Sequence, residues 1–257
     1  MRLHGKSKSP ENRKTEEFIY GVNPVLEAIK SCRKINTIYI YNRSYEHLKY
    51  VIKTAEAGNI PVKFAEKDFF DARFPKGHQG IAAVVGKRKL MSVEDLFDIS
   101  DKKNEPSFFL VLDCIEDPRN FGAILRSADA AGAHGIIFQS HRSARISPVV
   151  SKASAGALEH MNLAEVVNIK HAMEKLKARD VLIVGAEADS ELTLWDIDMK
   201  VPIAFVIGSE GLGLRRTVKE MCDAVVRLPM MGNVNSLNVS VAAGILCYEL
   251  MRQRLRE

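Results

Sequence analysis

The period of apolar and polar positions changes along the chain, and each change marks an element. "YGVNPVLEAIKS" reads as a helix capped by Asn23, with Pro24 in the first helical position, where its missing N–H costs little. "INTIYIYN" then alternates as a strand does. Ser44 is placed to cap a second helix, with Leu48, Val51, Ile52 and Ala55 at helical spacing, and "IPVKF" and "GIAAVVG" supply two more strands. Together they predict a small α/β unit that closes near Gly86. "KRKLMSVEDLFDISDKKNEPS" is a charged crossover around one short helix, opened by Ser92 and Asp95 in capping-box spacing, and reads as a linker over residues 89–106.

Beyond the linker the pattern becomes regular. Apolar strands are expected at 108–112, 135–138, 163–166, 181–185, 203–207 and 224–228. Helices are expected over 120–131, near Ser147 and Pro148, over 169–179 and 215–221, and from about Val239 onward. Unbroken apolar strands alternating with helices imply a mostly parallel sheet covered on both faces.

Composition narrows the picture only a little. The chain has 257 residues, 46% of them hydrophobic and 7% aromatic, enough for one large domain or two modest ones with a real core. Lys plus Arg number 37 against 32 Asp plus Glu, a mild excess that permits a polyanionic partner without requiring one. Cys32, Cys114, Cys222 and Cys247 lie far apart with no Cys-x-x-Cys pair, as expected of reduced structural thiols in a cytoplasmic protein. The start, "MRLHGKSKSPENRKTEE", is basic and polar without an apolar core, so residues 1–16 read as a flexible basic tail rather than a secretory signal. No stretch reaches the ~20 apolar residues that a membrane helix needs.

In a parallel α/β sheet, ligands bind beyond the C-terminal ends of the strands. Three of those loops are chemically unusual. After Leu112 comes "DCIEDPRNFGAILRSADAAG", in which Asn120 is placed as a helix cap and Arg126 follows about two turns into the helix. The plain alternative makes Arg126 a surface residue paired with Asp129. After Ile207 comes "GSEGLGLRR", whose Gly-x-x-Gly-x-Gly spacing is wrong for a dinucleotide fingerprint and which sets the carboxylate of Glu210 in its mouth, unless Glu210 merely caps the next helix. After Leu228 comes "PMMGNVNSLNVSVAAG", where Ser236 or Asn238 suits the cap of the last helix, and Asn233, Asn235 and a surplus hydroxyl remain. Amides and hydroxyls at a helix N-terminus also cradle polar ligands. The histidines are scattered, and no metal-ligand cluster or Ser-His-Asp order is visible. An acid, a cation and amide-rich loops suit group transfer to an oxygen better than hydrolysis.

Taken together, "NFGAILRSADAAG", "IGSEGLGLRR" and "LPMMGNVNSLNVSVAAG" resemble the three signature motifs of the SpoU (TrmH) family of RNA 2'-O-ribose methyltransferases, in the SPOUT superfamily. "FIYGVNPVLEAI" and "HQGIAAVV" resemble the N-terminal RNA-binding domain of the branch that modifies 23S ribosomal RNA, a small fold shared with certain ribosomal proteins. The resemblance implies an RNA-binding domain over residues 17–88 and, over residues 107–257, a methyltransferase domain whose parallel sheet carries a deep trefoil knot. Physics alone would not propose a knot.

By the same resemblance Asn120, Arg126, Glu210, Ser236 and Asn238 are the catalytic set, and Gly208, Leu228 and Leu237 line the S-adenosylmethionine pocket. The expected reaction is methyl transfer to a ribose 2'-hydroxyl in RNA, on a guanosine of 23S ribosomal RNA, by a homodimer that needs no metal, membrane or DNA. Alternatives are an adenosine of 23S RNA, as in resistance enzymes, a transfer RNA, or a non-catalytic RNA-binding or ribosome-assembly role. An arginine stays protonated, so Arg126 is expected to stabilise a developing alkoxide or hold the adjoining phosphate rather than act as a base. Arg142 and Arg145 in "SHRSAR" are available to phosphates, with solvated surface charge as the competing account.

Overall fold

The computed structural model describes residues 16–74 and 77–255. It divides into two units, Met1–Arg88 and Lys89–Glu257. Of the tail expected over residues 1–16, all but Glu16 lies outside the described residues, and Glu16 opens the first strand.

The first unit is a four-stranded sheet in the order β1-β4-β2-β3, built from β1 (Glu16–Tyr20), β2 (Ile35–Tyr41), β3 (Val62–Ala65) and β4 (Ile81–Gly86). Strand β4 runs antiparallel to both β1 and β2, while β2 and β3 are parallel. Alternation sorts the two faces. Ile19, Ile38, Ile40, Ile81, Ala83 and Val85 pack with residues of α1 (Val22–Lys30) and α2 (Tyr45–Ala57). Tyr20 and Ala82 pack on the other side with Phe70, from α3 (Lys67–Asp71), and Phe74. Helix α1 begins earlier than the sequence suggested. Gly21 is its N-cap, at φ 97°, so Asn23 and Pro24 lie inside the first turn, where Pro24 still forfeits no intrahelical bond. Ser44 precedes α2, but its side chain makes no capping bond.

The second unit begins with α4 (Val93–Lys103), whose Ser92–Asp95 capping box forms as expected, at 3.1 and 2.9 Å. Val93, Leu96 and Phe97 of α4 are buried in this unit's core. The segment read as a linker is therefore packed structure, because its helix carries an apolar stripe at i, i+3 and i+4.

Seven strands follow: β5 (Phe108–Leu112), β6 (Gly135–Gln139), β7 (Leu163–Val166), β8 (Leu182–Ala186), β9 (Leu192–Thr193), β10 (Ile203–Ile207) and β11 (Ala224–Arg227). They form one sheet in the order β7-β6-β5-β10-β8-β11-β9, and every pairing is parallel. Strands β5, β6 and β10 are buried along their whole length. Leu110, Leu112, Phe205 and Ile207 face α5 (Pro118–Ala130) and α9 (Val239–Leu255), whereas Phe109, Val111, Ala204 and Val206 face α4 and α7 (Ile169–Lys177). Two covered faces explain the unbroken apolar runs. Each fully buried large side chain contributes roughly 1.5–3 kcal/mol.

Strand β11 lies between β8 and β9, although β8 and β9 are consecutive along the chain. The chain beyond α8 (Arg216–Lys219) is thus inserted into the loop that joins β8 to β10, the arrangement that the trefoil-knot expectation calls for. Helix α9 is fastened over that loop. The Arg254 guanidinium donates to the carbonyls of Pro106, Ser107, Met199 and Val201, and Gln253 Oε1 accepts from the Met199 N–H.

His134 sits buried at the foot of β5. Its Nδ1 accepts the Phe108 N–H at 3.0 Å and its Nε2 faces Glu105 Oε2 at 3.1 Å. Burial holds its pKa below the ordinary 6.5, with Glu105 opposing. The folded chain therefore resists a proton that the unfolded chain accepts as pH falls through 6.5. This contribution to stability is whole above that value and is lost below it. The thermal midpoint is expected to fall between pH 7.5 and 5.5, and to fall less in His134→Gln. Equal pH dependence in both proteins would remove His134 as the cause.

Candidate active site

Strands β5, β10 and β11 deliver the three polar loops to the same end of the sheet. In the first, Asp117 rather than Asn120 caps α5, accepting the Arg119 N–H, and Pro118 opens the helix. Asn120 is released from capping, and its Nδ2 donates to Glu210 Oε2 at 3.0 Å.

The second loop is closed on itself by paired backbone bonds between Ser209 and Gly213, of 3.0 and 2.9 Å. A Cβ on Gly208 would lie 2.2 Å from the Gly213 carbonyl carbon, so only glycine permits the closure. Glu210 stands on that turn and is not a helix cap, since α8 starts at Arg216 with Arg215 before it.

In the third loop Asn238 does two jobs. Its Oδ1 accepts from the Ser240 N–H at 3.0 Å and from the Ser240 hydroxyl at 2.6 Å, which caps α9. That fixes the amide, so Nδ2 points away from the helix and donates to Asn120 Oδ1 and Glu210 Oε1, both at 3.1 Å. Asn120, Glu210 and Asn238, one from each loop, close a hydrogen-bonded ring.

The remaining expected residues are not in that ring. Ser236 is exposed, does not cap α9, and has no hydrogen bond among the described residues. Arg126 is exposed on α5, six residues from Asn120, which at ~100° per residue sets it about 120° around the helix. The Arg126 side chain makes no hydrogen bond or ion pair with another described residue. Leu228 is partly buried against the core and Leu237 is half-buried in the loop. Between β11 and Asn238, residues 230–237 make no hydrogen bond among the described residues, so their amides and carbonyls are open to a ligand. That amide-rich segment and the Gly208 turn fit a cofactor held by backbone groups.

Beside the ring lies a cleft of about 460 Å³. Asn120 and Glu210 line it together with Ile115, Leu212, Leu214 and Val239, and with Glu116, Arg142 and Arg215. Sequence reasoning missed the anchor of its floor. Buried Asp113, at the end of β5, accepts Arg215 Nε at 2.7 Å and the Arg215 N–H at 3.0 Å, and Gln139 Oε1 accepts Nη2 at 2.7 Å. Burial works against the charge of Arg215, but the bond to Asp113 and its charge outweigh it and hold the pKa above the ordinary value. The one local signal was an acid directly after an apolar strand. Burial pushes the Cys222 and Cys247 thiols up to about 12, consistent with structural roles.

Two family models divide the chain between them. Residues 18–91 match the RNA 2'-O ribose methyltransferase substrate-binding domain, and residues 107–248 match the SpoU rRNA methylase family. A putative TrmH family tRNA/rRNA methyltransferase of Bacillus subtilis, YacO, is 40% identical over 93% of this chain and 96% of its own. The 23S rRNA (guanosine-2'-O-)-methyltransferase RlmB of Pseudomonas putida is 38% identical over 93% of this chain and 97% of its own. The crystal structure of the SpoU methyltransferase AviRb from Streptomyces viridochromogenes, in complex with the cofactor AdoMet, superimposes with a TM-score of 0.81 at 27% identity, covering 96% of this chain and 93% of that one.

Fold, site and matches define an RNA methyltransferase that uses S-adenosylmethionine and carries a separate substrate-binding domain. The chain belongs to the SpoU family of RNA 2'-O-ribose methyltransferases. Among the described residues no helix is long and apolar enough to cross a membrane.

Proposed function

We propose that this chain methylates the ribose 2'-hydroxyl of a guanosine in 23S ribosomal RNA, in the cytoplasm, with the Asn120–Glu210–Asn238 ring as the frame of the reaction site. The observation that carries the reading is the ring itself, because it joins the three signature motifs at one point. The relatives named for 23S guanosine methylation, alike over nearly the whole chain, support the target.

In this reading Gly208, Leu228 and Leu237 hold S-adenosylmethionine along their loops. When bound, it supplies an electrophilic methyl on a sulfonium. The 2'-hydroxyl must approach that methyl in line at ~3–3.5 Å. Glu210 orients Asn120 and Asn238 around the approach, and Ser236 donates from the same loop. Arg126, exposed and with its side chain unbonded among the described residues, places its fork against the developing alkoxide or the adjoining phosphate, and the proton leaves to water. A target in an unstacked loop presents its 2'-hydroxyl most easily.

The active form in this reading is a homodimer that meets through α9. Val241, Ile245 and Tyr248 are all exposed there, at the i, i+4, i+7 spacing of one apolar stripe. Ile245→Glu with Tyr248→Glu is expected to halve the mass seen by light scattering, and an unchanged mass would move the interface elsewhere.

Transfer of labelled methyl to 23S RNA from cells lacking this gene, followed by digestion to nucleosides, tests the whole. The expected product is 2'-O-methylguanosine. Label in 2'-O-methyladenosine, label only in transfer RNA, or RNA binding without transfer would favour the rival readings.

A further inference from the structure

The cleft beside the ring has an unusual balance of charge. Glu116, Asp117 and Glu210 line it against Arg142 and Arg215, and Arg215 is already paired with buried Asp113. A phosphate entering there would meet surplus negative charge. A neutral group with its own donors and acceptors would not.

Most of these side chains are already committed. Glu210 accepts from both amides of the ring, and Asp117 caps α5. Glu116 is exposed, lines the cleft, and has no bond among the described residues. Arg215 is half committed. Asp113 and Gln139 take its Nε and Nη2 edge, which fixes the guanidinium plane, while Nη1 has no partner among the described residues. Its side chain is 38% exposed and lines the cleft. Asp113 in turn is locked, since its N–H bonds the Ile207 carbonyl at 2.8 Å between two central strands. The cleft thus offers one rigid donor edge and one open carboxylate, next to two members of the ring. Ile115, Leu212 and Val239 supply apolar surface for a planar ring.

We propose that this cleft receives the target nucleobase and selects guanine, with Arg215 Nη1 donating to O6 and the Glu116 carboxylate accepting from N1–H and N2–H. Guanine is the base whose pairing edge sets an acceptor beside two donors. Adenine reverses the pattern, placing an amino group against Arg215 and an unprotonated nitrogen against Glu116. A bound arginine fork and carboxylate discriminate best when they cannot turn to suit the wrong partner, and the Asp113–Gln139 clamp provides that on the arginine side. The inference rests on the proposed methylation of guanosine, and gives it a physical source in this chain's own residues.

The test compares the wild-type chain with Glu116→Gln in single-turnover methylation of 23S RNA, and of the same RNA carrying inosine, which lacks the N2 amino group, at the modified position. Glu116→Gln is expected to lose ~10-fold or more on guanosine with S-adenosylmethionine affinity unchanged. Inosine is expected to slow the wild-type chain by a similar factor and to slow Glu116→Gln much less, because the contact is already gone. Equal inosine penalties in the two proteins, or full activity of Glu116→Gln on guanosine, would overturn the pocket while leaving guanosine methylation standing. Methylation of adenosine by the wild-type chain would overturn both. Arg215→Lys is a second variant, in which loss of the rigid fork is expected to raise activity on an adenosine-substituted RNA relative to guanosine. An unchanged ratio would count against the donor role, and a thermal melt separates that result from loss of the Asp113 pair.

Discussion

Glu210→Gln is expected to lower the methyl-transfer rate by ~10²-fold, with the melting temperature and the S-adenosylmethionine affinity nearly unchanged. The carboxylate accepts from Asn120 on one oxygen and from Asn238 on the other. A glutamine keeps one acceptor and turns an NH2 toward the other amide donor. Asn238 cannot answer by flipping, since its Oδ1 is held by both donors of Ser240 at the start of α9. Asn120 must move instead, and the frame opens at the point where the 2'-hydroxyl is to be aimed. Stability is spared because Glu210 is exposed on a short turn, where substitutions typically stay within about 0.5 kcal/mol. A rate within a factor of two of wild type in single-turnover assays would reduce the ring to a loop fastener.

Arg126→Ala is expected to cost the largest factor, on the order of 10²–10³ in rate, the size seen when one donor to a developing oxyanion is removed. Cofactor binding and stability should stay intact, because Arg126 is exposed and holds no other described residue. Arg126→Lys separates two roles. If charge alone suffices, lysine recovers much of the rate, whereas a bidentate fork on a phosphate is not replaced by a point charge. Near-normal methylation by Arg126→Ala at neutral pH would remove Arg126 from the chemistry.

The sheet covered on both faces was legible from the chain because burial on both sides leaves a plain record. "FFLVL" and "IAFVI" admit little besides a covered parallel strand. Strand ends and caps were less legible. "EEFIY" is too short to separate from the helix after it, and β9 is two residues fixed only by its place beside β11. Asn120 was misread as a cap because Asp117 and Asn120 are both good capping residues and spacing does not choose between them. The order of β8, β11 and β9 is a tertiary fact, and the knot entered only through resemblance.

The site was half legible. Amide-rich loops at strand ends pointed to it, but the bonds that make it one object span 90 positions from Asn120 to Glu210 and 118 from Asn120 to Asn238. The Asp113–Arg215 clamp, spanning 102, left no periodic trace at all. Ser236 and Arg126 rest on the motif alone, since each is exposed and its side chain is bonded to no other described residue.

Mapping 2'-O-methyl groups in ribosomal RNA at nucleotide resolution, in cells with this gene, without it, and with only the Glu210→Gln chain, tests the proposed role most directly. One guanosine of 23S RNA should be methylated in the first strain, unmethylated in the second and largely unmethylated in the third. Identical maps in all three strains, or a change confined to adenosines or to transfer RNA, would contradict it.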